Sequence, residues 1–193
     1  MKIAIINYGA GNIQSLKFAI KRLGYEANLT DNPEEILAAD KVIFPGVGEA
    51  SSAMKMLRKS GLDTLIPKLK QPVLGICLGM QLMCTSSEEG ETKGLGIFGV
   101  PVLRFNSDVK VPQIGWNLIG NLQSDLFKGI PENEYVYLVH SFYAPLCKEA
   151  IATTEYGLEY ATALQKDNFY GTQFHPEKSS KVGAKILENF LNL

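Results

Sequence analysis

The sequence predicts an α/β fold in which an open, mostly parallel sheet is flanked by helices and continued by an antiparallel extension. Three observations support this fold class. Apolar strand-like runs alternate with helical patterns through the first half, as they do where helices connect parallel strands. The second half is richer in strand-like runs. Glycine-containing turns directly follow two of the runs, at the carboxyl ends of strands, where open α/β sheets bind ligands.

The elements of the first half are assigned from apolar periodicity. Short apolar runs predict strands at residues 3–6, 27–29, 42–44 and 73–76. Apolar residues at helical spacing predict helices over residues 13–23, 50–58 and 62–69, with a further helix beginning at Leu78. This order repeats strand and helix, so the strands are expected to lie parallel.

The second half is assigned in the same way. Strands are expected at residues 100–105, 116–119, 135–139, 150–154, 160–165 and 170–174, and a last helix over residues 181–191. The polar stretch 85–94 is interpreted as one solvated loop without a catalytic role. No Pro- or Ser-rich linker interrupts the 193 residues, which we therefore expect to form one domain, 1–193.

Composition excludes several classes of protein. Hydrophobic residues make up 46% of the chain, charged residues 20%, and the formal net charge is −1, which gives no bias toward nucleic acids or membranes. The apolar start is too short for a signal peptide, and no run approaches a membrane span, so a cytoplasmic protein is expected. Cys77, Cys84 and Cys147 lack metal-ligand spacing, and neither a metal nor a disulfide framework is expected.

One segment resembles part of a cofactor-binding motif. Gly9-Ala10-Gly11 follows the first strand as in the dinucleotide-binding fingerprint, but position 14 is Gln where the third glycine is required. We therefore expect no nucleotide and no other cofactor.

The candidate nucleophile is Cys77. It stands between Gly75 and Gly79, where a predicted strand gives way to a predicted helix. Small neighbours at such a turn permit a strained backbone that lifts the side chain clear of the sheet, and the start of a helix favours the thiolate. A buried core cysteine is the alternative interpretation.

The candidate general base is His175, with Glu177 as the group that orients it. In an extended segment these two side chains would point to the same side, and Pro176 between them restricts the backbone. A nucleophile, a base and an orienting carboxylate are the components of an acyl-transfer site. The chain has two histidines, so the alternative base is His140, which is expected at a strand end without a nearby carboxylate.

These motifs together resemble those of the class I glutamine amidotransferases, the triad glutaminases. The resemblance extends to the sequence Phe-Pro-Gly-Val-Gly at residues 44–48, which in that family forms the oxyanion hole beside the nucleophile. It implies oxyanion donors at Gly46, Val47 and Leu78. It also implies that the substrate L-glutamine is held at its amino-acid end by Gln81 and by the backbone of Gly48, Ser141 and Phe142.

A narrower resemblance is to the glutaminase subunits of imidazole glycerol phosphate synthase. It rests on the segments 6–12, 112–117, 140–143 and 172–179, which extend over nearly the whole chain. It implies a heterodimer with a (β/α)₈-barrel cyclase that uses ammonia to make imidazole glycerol phosphate and aminoimidazole carboxamide ribotide in histidine biosynthesis. The candidate interface residues are Asn12, Trp116, Tyr137 and Lys178.

Two other functions remain open at this point. The first is a glutaminase that serves a different ammonia acceptor, such as pyridoxal phosphate synthase, although the Gly-Trp-Asn sequence at residues 115–117 argues against it. The second is a protein that uses Cys77 for redox sensing, chaperoning or peptide hydrolysis and that would not require His175 and Glu177.

Overall fold

The computed structural model of the protein describes residues 1–9 and 11–193; Ala10, within the segment 9–11 discussed above, lies outside the described residues. The strands are β1 Ile3–Ile6, β2 Ala27–Thr30, β3 Lys41–Gly46, β4 Val73–Cys77, β5 Ser86–Ser87, β6 Thr92–Lys93, β7 Leu103–Arg104, β8 Gln113–Ile119, β9 Glu134–His140, β10 Phe142–Tyr143, β11 Ala150–Glu155, β12 Glu159–Lys166 and β13 Phe169–Thr172. The helices are α1 Ile13–Arg22, α2 Pro33–Leu37, α3 Ala50–Ser60, α4 Leu62–Leu65, α5 Leu78–Met83 and α6 Ser180–Leu191.

The main sheet has seven strands in the order β11-β12-β13-β4-β3-β1-β2. The strands from β2 to β13 in this order pair in parallel, whereas β13, β12 and β11 pair antiparallel. The predicted fold class, a mostly parallel sheet with an antiparallel extension, is therefore confirmed.

Helices cover both faces of this sheet. Because alternate residues of a strand point to opposite faces, β1 contributes side chains to two separate cores. Ala4 and Ile6 of β1 pack in one core with α3 and α5, whereas Ile3 and Ile5 pack in a second core with α1 and α6. Near-continuous apolar strands such as β1 and β4 are typical of a sheet that is buried on both faces.

The sheet topology brings two glycine-containing turns together. β3 ends at Gly46 and β4 ends at Cys77, and these two residues are directly paired in parallel register. The chain segments that follow the two strands therefore emerge side by side at the carboxyl edge. The sheet thus places the Pro-Gly-Val-Gly turn beside the candidate nucleophile.

A long antiparallel hairpin, β8 with β9, lies outside the main sheet. One of its faces is buried through Val136, Leu138 and Ile119. Its other face exposes large apolar side chains, namely Ile114, Trp116, Leu118 and Tyr135.

Two local expectations were wrong. Residues 100–105 do not form one strand: Leu103 and Arg104 form β7, and Val102 makes an isolated parallel bridge with Ser87. The apolar Val100, Val102 and Phe105 are nevertheless buried, so their apolarity indicated core packing.

The polar stretch 85–94 is not a solvated loop. It folds into β5, a 3₁₀ turn and β6, with Ser87 and Thr92 buried. These hydroxyls bond the backbone of the turn, since the Thr92 hydroxyl donates to Glu89 O over 2.7 Å and Ser87 Oγ accepts from Glu89 N over 3.1 Å. These polar side chains can be buried because the turn supplies their hydrogen-bond partners.

No helix within residues 1–9 and 11–193 is long and apolar enough to cross a bilayer.

Candidate active site

Cys77 occupies a strained turn between β4 and α5. Its φ is 54° and its ψ is −112°, in the positive-φ region that non-glycine residues rarely adopt. The turn is tightly packed, because a Cβ added at Gly79 would overlap the carbonyl oxygen of Phe44 and one added at Gly75 would meet Met80 N at 2.9 Å. Strand, strained cysteine and helix have the form expected of a nucleophile elbow.

His175 and Glu177 are in direct contact. The distance between His175 Nδ1 and Glu177 Oε1 is 2.9 Å, and both side chains are buried. The reason given from sequence was wrong, because residues 176–178 form a 3₁₀ turn and are not extended. That turn, which begins at Pro176, folds the carboxylate back onto the imidazole.

The environment of His175 favours its protonated form. Burial lowers its pKa, but hydrogen bonds with Cys77 and Glu177, together with the charges of these two groups, outweigh burial and raise the pKa to about 10. A base whose charged form is stabilised in this way can hold the proton of a thiol.

His140 has no free nitrogen for the role of base. Its Nδ1 lies 2.7 Å from Phe142 O and its Nε2 lies 3.1 Å from the Tyr160 hydroxyl. Burial is the main cause that lowers its pKa to about 4; the charge of His175 lowers it further, and the bond to Phe142 O opposes the shift. His140 is thus a neutral group that organises its neighbours.

Cys77 and His175 open into a cavity of about 360 Å³ at the carboxyl edge of the sheet. The lining residues are Val47, Gly48, Cys77, Leu78, Gln81, Glu89, Pro112, Val139, His140, Ser141, Phe142, His175 and Lys178. Of the expected oxyanion residues, Val47 and Leu78 line this cavity, whereas Gly46 lies behind them, beside Cys77 in the sheet. All four expected substrate residues line it.

The side-chain amide nitrogen of Gln81 is hydrogen-bonded within the protein. Its Nε2 donates to Phe142 O over 2.9 Å and to Gln173 Oε1 over 2.8 Å. Both N–H bonds are thereby occupied, so Oε1 is the part of this amide that remains for a ligand.

Sequence analysis missed two residues of this region. Gln173 is fully buried, and its Nε2 lies 3.7 Å from Cys77 Sγ; an amide within an otherwise apolar strand-like run was the available signal. Glu89 lines the cavity and accepts a hydrogen bond from Ala50 N over 2.8 Å. Burial, together with the charge of Glu49, raises the pKa of Glu89 against the effect of that bond. No local signal distinguished it from Glu88 and Glu91.

Of the candidate interface residues, Lys178 lines the cavity. Trp116 and Tyr137 are cross-strand neighbours with ring centroids 5.9 Å apart, and Lys178 Nζ lies 5.8 Å from the Tyr137 ring centroid. Asn12 precedes α1, which packs beside the turn 176–178, and its side chain makes no helix-capping hydrogen bond. Among the described residues, no group of three His, Cys, Asp or Glu side chains could hold a metal ion.

Comparisons with known proteins show the family of the chain. Residues 4–193 match the family model described as glutamine amidotransferase class-I. The chain is 57% identical to the imidazole glycerol phosphate synthase subunit HisH of Bacteroides thetaiotaomicron and 45% identical to that of Buchnera aphidicola, each alignment covering 100% of both proteins.

Solved structures show the same fold. One glutamine amidotransferase aligns with a TM-score of 0.77 at 19% identity, covering 98% of this chain and 97% of that one. Another, from Thermotoga maritima, aligns with a TM-score of 0.66 at 19% identity, covering 100% of this chain and 83% of that one. Identities this low make the two structures evidence for the fold alone.

Proposed function

This chain belongs to the class-I glutamine amidotransferase family and, within it, to the HisH subunits of imidazole glycerol phosphate synthase, and we propose that Cys77, His175 and Glu177 form the triad with which it hydrolyses glutamine. The observation that carries this proposal is the 2.9 Å bond between His175 and Glu177 beside a strained cysteine. His175 lines the same cavity as Cys77, and Glu177 is buried against His175.

In the first half of the reaction, His175 takes the proton of Cys77, and the thiolate attacks the side-chain amide carbon of glutamine. The C–N bond then breaks, and the imidazolium gives its proton to the departing ammonia. In the second half, His175 takes a proton from water, and the water oxygen attacks the thioester carbon. The C–S bond breaks, glutamate leaves, and the proton returns to sulfur. Glu177 fixes the imidazole tautomer and stabilises its charged form.

The oxyanion that forms twice in this sequence needs hydrogen-bond donors. We assign these to backbone N–H groups of the Gly46–Val47 segment and of Leu78, on the two sides of Cys77. Each such donor contributes on the order of 3 kcal/mol to transition-state stability. Gly46 keeps the segment close to the elbow, since a Cβ there would meet Gly79 N at 2.6 Å.

The amino-acid end of glutamine carries a cation and an anion. For the α-ammonium we propose the Glu89 carboxylate and Gln81 Oε1, because both residues line the cavity and the N–H groups of Gln81 are already bonded. For the carboxylate we propose backbone N–H groups of Gly48, Ser141 and Phe142. Phe142 O is unsuitable for the ammonium, since His140 and Gln81 already occupy it.

We propose that ammonia passes directly to the cyclase subunit of the same synthase, a (β/α)₈ barrel, because free ammonia is lost by protonation and diffusion. The exposed apolar face of β8 and β9, with Trp116 and Tyr137, is the candidate docking surface, flanked by Lys178 and Asn12. An exposed patch of this kind is typical of an interaction site. The products of the partner would be imidazole glycerol phosphate and aminoimidazole carboxamide ribotide.

We also propose that residues 1–193 form a single domain that acts in the cytoplasm. α1 and α6, from opposite ends of the chain, share one core with the strands between them. A reducing compartment would keep the Cys77 thiol available.

The test is glutamate release from glutamine by the chain alone, with the cyclase, and with the cyclase plus its phosphoribosyl ligand. Strong stimulation in the last mixture is expected, and Cys77→Ala should abolish release in all three. Cys147→Ser, which alters a half-buried thiol away from the cavity, is the matched control and should retain activity. Activity indifferent to this cyclase would contradict the partnership. Appreciable release by Cys77→Ala would overturn the triad.

A further inference from the structure

A buried side-chain amide that does not line the cavity lies within hydrogen-bond distance of the candidate nucleophile. Gln173 follows β13 and precedes His175 by two residues, and its backbone N–H donates to Thr162 O over 2.8 Å. Its side chain is fully buried and lies between Gln81 and Cys77.

The orientation of this amide follows from the groups around it. Phe142 O can only accept hydrogen bonds, and it receives one from His140 Nδ1 and one from Gln81 Nε2. Gln81 must therefore present its NH₂ group on this side, and its second N–H requires an acceptor, which is Gln173 Oε1. The remaining end of the Gln173 amide, its NH₂ group, must then face Cys77 Sγ. Rotating either amide by 180° would set like groups against each other.

Among the described residues, Cys77 Sγ is the hydrogen-bond acceptor for Gln173 Nε2. A thiol sulfur is a weak acceptor, whereas hydrogen bonds to a charged acceptor are about twice as strong as neutral ones. The amide thus interacts more strongly with the thiolate than with the thiol. It also fixes the position of the sulfur, which lies 3.8 Å from Val139 O.

We propose that Gln173 is a further catalytic residue, whose side-chain amide donates to Cys77 Sγ, stabilises the thiolate and is held in the productive orientation by Gln81 and Phe142. The assignment rests on the proposed role of Cys77 as nucleophile. No atom is transferred to or from Gln173, which acts as a fixed donor.

The direct test is the pH profile of Cys77 alkylation by iodoacetamide in the full chain without glutamine, followed by mass spectrometry of the Cys77 peptide. Gln173→Met keeps the length of the side chain and removes the N–H donor. We expect the midpoint of the profile to move to higher pH by about one unit, which corresponds to about tenfold less thiolate on the rising limb. The other titratable groups around the sulfur, His175 and Tyr8, are unchanged in this variant.

Thr172→Val is the matched control. Thr172 precedes Gln173, is fully buried, and its hydroxyl has no hydrogen-bond partner, so its replacement changes a neighbouring buried polar group without touching the sulfur. Its midpoint should equal that of the wild type. An unchanged midpoint in folded Gln173→Met would overturn the proposal.

If Gln173→Met fails to fold, Gln173→Leu replaces it as the test variant. Leucine has neither an N–H donor nor a charge that would act on the thiolate, so the midpoint should again rise, and an unchanged midpoint would equally reject the role of Gln173. This result is separable from the proposed function. Absence of glutamine hydrolysis by the wild type with its cyclase would remove the function, whereas normal hydrolysis with an unshifted midpoint would remove Gln173 alone.

Discussion

The backbone N–H of His175 donates to the carbonyl of Tyr137 over 3.0 Å, so the candidate base is bonded to the strand that carries the exposed aromatic surface. Ser179 strengthens the same connection, since its hydroxyl donates to His175 O over 2.7 Å and accepts from Tyr137 N over 3.0 Å. A partner that moves β9 would therefore act on the triad through backbone hydrogen bonds. The proposed docking surface and the candidate triad are thus joined by backbone and side-chain hydrogen bonds.

Removing the exposed indole should weaken binding of the cyclase. Trp116 is 52% exposed on the apolar face of the hairpin, and aromatic anchors of this kind contribute about 2 kcal/mol or more to an interface. We expect Trp116→Ala to raise the Kd for the cyclase by about 30-fold, measured by isothermal titration calorimetry. Leu37→Ala on α2 removes another exposed apolar side chain and should leave the Kd unchanged. Equal Kd values for both variants and the wild type would refute the docking surface.

Replacing the orienting carboxylate should affect turnover more than substrate binding. Glu177→Gln removes the charge that stabilises the imidazolium of His175, and kcat for glutamine hydrolysis should fall on the order of 10³-fold with little change in KM. Steady-state kinetics of the cyclase complex provides the measurement. Glu188→Gln, which alters an exposed residue paired with Lys185, is the control and should keep full activity. A kcat within a few-fold of the wild type would exclude Glu177 from the triad.

Neutralising the cavity carboxylate should have the opposite kinetic signature. Glu89→Gln removes the proposed partner of the substrate ammonium, and a charge-assisted hydrogen bond contributes about 2 kcal/mol, so KM should rise about 30-fold with kcat nearly unchanged. Glu91→Gln, in the same turn but exposed and outside the cavity, should retain the wild-type KM. If the two variants have the same KM, the ammonium binds elsewhere.

The candidate active site was predictable where the signal is local. The strand-to-helix turn at Cys77 was predicted from the glycines around it and from the end of the apolar run before it. These signals were sufficient because backbone strain and the end of a strand depend on neighbouring residues. The contact between His175 and Glu177 was predicted correctly for a wrong reason, since a 3₁₀ turn produces it. An amide inside a mostly apolar run marked Gln173 as unusual, but its partner Gln81 is 92 residues away, and Glu89 is 39 residues from Ala50, so the local sequence could not reveal these contacts.

Close packing behind the elbow should make one glycine irreplaceable. A Cβ at Gly79 would overlap the backbone oxygen of Phe44, which cannot move without disturbing β3. We expect Gly79→Ala to lower the free energy of unfolding by about 3 kcal/mol, measured by urea denaturation. Gly24→Ala is a useful contrast, since a Cβ there meets nothing within 4 Å and only the positive φ is unfavourable, at about 1 kcal/mol. A smaller loss for Gly79→Ala than for Gly24→Ala would contradict this packing.

His140 should make the folded protein sensitive to acid. Because its pKa is about 4 in the folded state and 6.5 in its ordinary state, the unfolded chain binds more protons between these values. This contribution to stability is fully present above about pH 6.5 and is lost as pH falls toward about 4. Between about pH 7 and about pH 4.5, the wild type should therefore lose about 2 kcal/mol more unfolding free energy than His140→Gln, which cannot titrate.

Urea denaturation at the two pH values measures this difference. Phe105→Leu is the matched control, since the Phe105 ring packs against His140 with centroids 5.3 Å apart but does not titrate. It should lower stability at both pH values and keep the wild-type pH dependence. If the wild type and His140→Gln lose the same unfolding free energy between the two pH values, His140 is not held neutral by its burial. The hydrogen bond from Nδ1–H to Phe142 O requires a proton on Nδ1, so this tautomer of the neutral ring anchors Phe142 and, through it, Gln81.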